Sequence, residues 1–491
     1  MRVSSQGRVG SGYDRCMTES IRNSFSRRQL LGSPALAGLV RRATAAQRQP
    51  PNILFIFADD LGWKDTSFNG SDFNETPNLA RLASQGMTFN QAYASAANCA
   101  PSRACLLSGQ YTPRHGVYAV QSTLRGPQNL MRMVPVPNRQ DLDPSNVTMA
   151  EALKAAGYAT GHFGKWHLGA GPSAPRAQGF DVSFDSRPNP NQRRDEPEDP
   201  KGIYSLTRAA GEFMESNRDR PFFAYVAHHA IHTALEARPS SLDKFKAKQR
   251  GLQHGNPLYA ACAYDLDDGV GLLLRKLDSL GLRDNTLVLF TSDNGGTQQS
   301  SQEPLRGNKG CYYEGGIREP MIVRWPGMIK PGAKCDVPVS NIDFYPTFLD
   351  AAAARPPSGK VLDGESLVPL LRGATGLKRQ SLFWHFPGYL DDPVIRGRDP
   401  VFRTRPVSVI RKGDYKLHLY HEEWQLDGGR EKLASNRAVE LYNIRADTGE
   451  RTDLVTRNPA KRDELLDDLL KWQQSVKAPM PVERNPAYKP G

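Results

Sequence analysis

The sequence predicts an α/β fold, a mostly parallel sheet sandwiched by helices, with a smaller C-terminal α+β domain. Three observations carry that expectation. Four short apolar runs alternate with stretches of helical periodicity, each run stops at a cluster of polar residues, and from about residue 376 the pattern turns to hairpin-like pairs.

The first 46 residues stand apart. They hold eight Arg against two acids, Asp14 and Glu19, and so account for half of the formal charge of +12. The rest shows no dense Lys/Arg run with interleaved aromatics, which argues against a nucleic-acid partner. Within this segment, Ser26-Arg27-Arg28-Gln29-Leu30-Leu31 precedes a short apolar stretch to Val40 and small residues at Ala43-Thr44-Ala45-Ala46. That resembles a twin-arginine export signal and predicts an exported, periplasmic or secreted protein, with Met17 as an alternative start to Met1. No apolar run reaches the roughly 18 to 20 residues of a membrane span.

The first strand is expected over Asn52 to Ala58, ending at Asp59-Asp60, and the second over Tyr158 to Phe163, ending at Lys165 and His167. The third covers Pro221 to Ala227 and leads into His228, His229 and His232; the fourth covers Thr286 to Thr291 and ends at Asp293-Asn294. Near-continuous apolar strands suit a parallel sheet covered on both faces, and ligands of such sheets bind beyond the carboxyl ends of the strands. Helical patterns fall at Asn78 to Gln85, Met149 to Ala156 and Leu258 to Leu280, where Asp265, Asp267 and Asp268 read as a solvated face or caps. Further on, Ser408 to Arg411 and Tyr415 to Tyr420 flank a Lys412-Gly413-Asp414 turn, another strand is expected near Val439 to Tyr442, and an amphipathic helix spans Ala460 to Val476. The division is therefore a leader at 1–46, a large domain at 47–375, and an antiparallel sheet plus helix at 376–491. Trp384, His385 and Phe386 read either as a site rim or as core.

Cys99-Ala100-Pro101-Ser102-Arg103 is the sharpest local motif. Pro101 suits a first helical turn, which places Cys99 at a helix N-terminus, where free N–H groups favour anions. The six cysteines form no C-x-x-C pair, and the sequence leaves any pairing of Cys105, Cys262, Cys311 and Cys335 open. Asp59, Asp60, Asp293 and Asn294 offer only oxygen donors, which suit Ca2+ or Mg2+ better than zinc.

This set resembles the formylglycine-dependent (type I) sulfatases of the alkaline phosphatase superfamily. The resemblance rests on Cys99 to Arg103 with Leu106-Leu107-Ser108-Gly109, on Asp59-Asp60, on Gly164 to Gly169, on Ser292 to Gly295, and on Lys309 to Pro320. It implies a large mixed, mostly parallel sheet and arylsulfatase-like hydrolysis of aryl or carbohydrate sulfates. It also implies that Cys99 is converted to formylglycine (3-oxoalanine) by a formylglycine-generating or anaerobic sulfatase-maturating enzyme. Ca2+, preferred over Mg2+, would be held by Asp59, Asp60, Asp293, Asn294 and the modified residue 99. The catalytic set carried over is Cys99, Arg103, Lys165, His167, His232 and Lys309: Lys165 and Lys309 neutralise sulfuryl oxygens, Arg103 fixes the modified residue and the metal carboxylates, and His167 and His232 move protons. Two alternatives share these features, a phosphodiesterase or phosphonate monoester hydrolase and a non-catalytic binder of sulfated glycans.

Overall fold

The computed structural model describes residues 50–187 and 196–489; the leader-like segment lies outside the described residues, as does part of the loop that precedes Pro200. The main sheet has nine strands. They are β1 (Asn52–Ala58), β2 (Met87–Tyr93), β3 (Ala159–Gly164), β4 (Val182–Phe184), β5 (Phe222–Ala227), β6 (Thr286–Ser292), β7 (Arg318–Arg324), β8 (Ala333–Cys335) and β9 (Val339–Ser340). Their order is β4-β3-β5-β1-β6-β7-β2-β8, with β9 also pairing with β2. Only β7 runs against the others, pairing antiparallel with both β6 and β2.

The central strands are buried along their whole length because both faces are covered. Side chains alternate across the sheet. Ile53, Phe55 and Phe57 join the core beneath the helix Cys99–Ser108, with Phe344 and Phe348. Leu54 and Ile56 face the helices Ile203–Ser216 and Pro257–Ser279. Each such side chain contributes about 1.5–3 kcal/mol on burial. The long helix Pro257–Ser279 starts where the Asn256 side chain accepts hydrogen bonds from the N–H groups of Leu258 and Tyr259.

Of the two readings open for the acids on that helix, the solvated face fails for Asp265 and Asp267, which are buried, and the cap holds for Asp267. Asp267 is buried and accepts hydrogen bonds from the backbone N–H groups of Asn78 (2.9 Å) and Leu79 (2.8 Å), so it caps the neighbouring helix Pro77–Gln85. Asp265 is buried against Arg238 and Ser241.

A second, antiparallel sheet follows the order β10 (Ser381–Phe386), β11 (Val407–Lys412), β12 (Tyr415–Tyr420) and β13 (Val439–Asn443). The helix Pro459–Ser475 covers it with Leu465, Leu466, Leu469 and Trp472 packed on Ile410, Leu417 and Leu419. Trp384, His385 and Phe386 are strand residues buried in the core. The Trp384 Nε1–H donates to the carbonyl of Ala94 (2.7 Å), and Arg411 donates to the hydroxyl of Tyr93, so this sheet grips the segment leading to Cys99. Cys99, Cys105, Cys262, Cys311 and Cys335 are all free thiols.

Candidate active site

Four adjacent strand tips and one helix start converge. Asp59 and Asp60 follow β1, Lys165 and His167 follow β3, His232 follows β5, and Asp293 and Asn294 follow β6. Asp60 (φ 64) and His167 (φ 63) bend the chain through the left-handed region, where a non-glycine residue costs on the order of 1–3 kcal/mol. Strain of that kind is retained where the surroundings fix a side chain's direction. Cys99 opens its helix and is 1% exposed.

One ligand atom from each of Asp59, Asp60, Cys99 and Asp293 lies within 4.8 Å of the others. Cationic groups ring this cluster. Lys165 Nζ is 2.5 Å from Asp59 Oδ2, and Lys309 Nζ is 2.8 Å from Asp60 Oδ2 and 3.0 Å from Cys99 Sγ. Arg103 donates through Nε (3.0 Å) and Nη2 (2.8 Å) to Asp293 Oδ2 and through Nη1 to the Lys165 carbonyl (3.1 Å).

Burial and charge work against each other here. Burial pushes the Asp59 carboxyl up, but Lys165, His232, Arg103 and Lys309 together hold it well below the usual carboxylate range. Burial and the Asp59 charge push Asp293 up to about 7, in spite of Arg103. Burial also raises the Cys99 thiol above its ordinary value, the two lysines notwithstanding, so the unmodified side chain is a poor nucleophile at neutral pH.

The donor set fits a hard divalent cation. Three carboxylates crowd together, and Asn294, whose Nδ2 donates to Asp60 Oδ1 (2.7 Å), leaves its Oδ1 buried without a hydrogen-bond partner. An orphaned amide oxygen beside clustered carboxylates is what an oxygen-coordinating ion satisfies.

The histidines separate by surroundings. His228 is fully buried with neither ring nitrogen bonded, and His229 is tied to Asp185 (2.8 Å). His232 is the one of the three that lines the cavity, with Nε2 3.9 Å from Asp60 Oδ2. Burial lowers its pKa, partly offset by Asp59 and Asp60. His167 lines the same cavity, and burial with nearby Lys165 lowers it to about 3. The structure thus brings together all ten residues of the expected catalytic and metal-binding set: Asp59, Asp60, Cys99, Arg103, Lys165, His167, His232, Asp293, Asn294 and Lys309.

The cavity above Cys99 holds about 370 Å³. Its outer wall includes Arg125 and Gln298, from loops that no sequence signal marked, and Arg403 from the loop between Gly388 and Pro406. A larger cleft, about 880 Å³, lies by Met87 and Lys334 and contains none of the clustered groups, so size does not locate the chemistry.

Fold and site together define an enzyme built on a mostly parallel α/β sheet, with its polar machinery at the strand ends. The sequence model described as Sulfatase matches residues 51–354, and that of the N-sulphoglucosamine sulphohydrolase C-terminal region matches residues 307–475. The chain is 35% identical to a sulfatase of Formosa agariphila and 34% identical to human arylsulfatase A, each match covering 91% of this chain and 92% of the relative. Ps i-CgsB in complex with k-i-k-neocarrahexaose superposes with a TM-score of 0.70 at 28% identity, over 88% of this chain and 94% of that one. The chain belongs to the sulfatase family, whose members are sulfuric ester hydrolases.

Proposed function

We propose that this enzyme hydrolyses sulfate esters of sugars or phenols through a formylglycine made from Cys99, with Ca2+ held by Asp59, Asp60, Asp293, Asn294 and residue 99. One observation carries the reading: the Cys99 side chain sits inside the carboxylate cluster, with Lys309 at 3.0 Å, at the floor of a polar cavity. The thiol atom stands for the oxygen-bearing group of the modified residue. The orphaned Asn294 oxygen and the all-oxygen donor set support a hard cation, and Ca2+ fits a set of several carboxylate and amide oxygens.

The hydrated aldehyde would supply one hydroxyl to attack sulfur and a second to expel sulfate afterwards, while the cation would raise the acidity of the attacking group. The rest falls to side chains. Lys165 and Lys309 place two ammonium groups where the sulfuryl oxygens carry charge. Arg103 fixes Asp293 and the Lys165 backbone, and thereby the lysine's approach. His232, beside Asp60 in the cavity, is placed to give a proton to the departing oxygen. His167, neutral near pH 7, is placed to accept one during sulfate release.

A carbohydrate substrate is supported by the cavity's polar side chains and by the k-i-k-neocarrahexaose held by Ps i-CgsB. Export through residues 1–46 and maturation by a formylglycine-generating or anaerobic sulfatase-maturating enzyme belong to the same proposal; the Arg27-Arg28 signal and the Cys99 to Arg103 motif support them.

The test pairs chemistry with mass. Enzyme co-expressed with a maturating enzyme is digested, and the peptide around Cys99 is weighed while aryl sulfate and aryl phosphodiester are assayed in parallel. Expected is an aldehyde at residue 99, faster sulfate turnover, and a loss of roughly a thousandfold or more in C99S. Full activity with an intact thiol would refute the reading.

A further inference from the structure

The cavity's basic groups form a series in depth. Cys99 at the floor is 1% exposed, the Lys309 side chain 13%, His232 22%, and Arg125 36%. Lys309 is engaged with Asp60 and Cys99. Arg403 is engaged too: its Nε donates to the Asp392 carbonyl (3.1 Å) and its Nη1 to the Lys309 carbonyl (3.2 Å), and its Cδ packs where a Cβ on Gly310 would lie.

Arg125 differs from both. Its side chain meets Asp391, Nη2 to Oδ1 at 2.6 Å, without the alignment of a hydrogen bond; that oxygen is covered, while both side chains as a whole are more than a third exposed. Exposed pairs of this kind hold little net stability and yield to a competing anion. The backbone around it is nevertheless anchored: the Arg125 N–H donates to the Tyr389 carbonyl (3.3 Å), and Leu124 bridges to Tyr389. A fixed base thus carries a guanidinium that can turn into the cavity mouth. Planar, forked donors suit carboxylate and sulfate.

We propose that Arg125 is a specificity-determining residue that binds a second anionic group, a sulfate or a uronate carboxylate, on the same sugar substrate whose sulfate ester is cut at the floor. This rests on the sulfatase reading above. It predicts that the preferred substrates carry two negative groups, the ester deep in the cavity and its companion at the rim.

The experiment compares wild type, R125A and R125K on 4-methylumbelliferyl sulfate and on a panel of sulfated mono- and disaccharides. Each sugar is paired with analogues lacking its second sulfate or its carboxylate, so the two sources separate. Expected is a wild-type preference for two-anion sugars and a loss in R125A at least tenfold greater on them than on the aryl sulfate, mostly in KM, weakened by salt and partly restored in R125K. The proposal is overturned if wild type gains nothing from a second anion, or if R125A loses equally on every substrate. A wild type that cuts no sulfate ester, the aryl compound included, fails the underlying reading instead.

Discussion

Lys309 Nζ stands 3.0 Å from Cys99 Sγ and 2.8 Å from Asp60 Oδ2, so one ammonium bridges the candidate nucleophile position and a clustered carboxylate. A bridge of that kind carries charge to the floor of the site before any substrate arrives. Replacing Lys309 with Ala is expected to lower kcat on aryl sulfate by roughly a hundredfold or more, since one preorganised charge-stabilising donor is worth about that much. Steady-state kinetics with a thermal unfolding check would separate this from a folding defect. A loss confined to KM would count against a role in the transition state.

Chelation tests the oxygen cluster. Prolonged dialysis against EDTA is expected to lower both activity and the unfolding temperature, and added Ca2+ to restore both. At a hundredfold excess over its dissociation constant, a bound ion adds about 2.7 kcal/mol. In N294A, where the orphaned Oδ1 is gone, the Ca2+-dependent rise in unfolding temperature should shrink. An unfolding temperature indifferent to EDTA and Ca2+ in wild type would remove the ion from the account.

Arg103 is fully buried with Asp293, and breaking one half of such a pair strands the other. R103M is expected to cost about 3–5 kcal/mol. R103M/D293N should recover part of that loss, because the stranded charge is removed with it. Denaturant titrations of the single and double variants read the difference directly.

Away from the site, His254 Nδ1 lies 2.7 Å from Asp72 Oδ1, and its Nε2 lies 3.6 Å from Asp65 Oδ1. Burial lowers the His254 pKa, but Asp65 and Asp72 outweigh it and the net direction is up. The stability it contributes is therefore complete below about pH 6.5, its unfolded value, and is lost as pH rises through the higher folded value. Asp72 moves oppositely. Burial raises it, while hydrogen bonds from Gln253 and His254 bring it down to about 2, so its share is complete above about pH 3.9 and fades as pH falls towards 2. The unfolding temperature of H254Q should lag wild type most between about pH 4 and 6.5, and the gap should close above that window.

Much of this molecule was legible because parallel core strands announce themselves. The runs at Asn52, Phe222 and Thr286 are apolar but for residues at their ends, since both faces of β1, β5 and β6 are buried. β2 escaped because its Met-Thr-Phe-Asn-Gln-Ala-Tyr alternates with partly exposed polar residues. β7 escaped because Arg318, Glu319 and Pro320 open it and disguise a buried strand as a loop motif. Cys99 could be read because it opens a recognisable helix, and the paired acids and Lys165 because each follows the end of a recognisable strand. Arg125 and the Asp185–His229 pair could not, since loops far apart in the chain meet there only after the sheet has formed.

Trp384 and Arg411 reach back to Ala94 and Tyr93, just ahead of Cys99. On a ribosome that contact has to wait: roughly three hundred further residues must be made, which takes on the order of 15 to 60 seconds at typical elongation rates. Throughout that interval the stretch ahead of Cys99 lacks its final cover. Under the proposed maturation of Cys99, completion of the second sheet would act as a clock, ending the interval in which another enzyme meets this stretch without its cover.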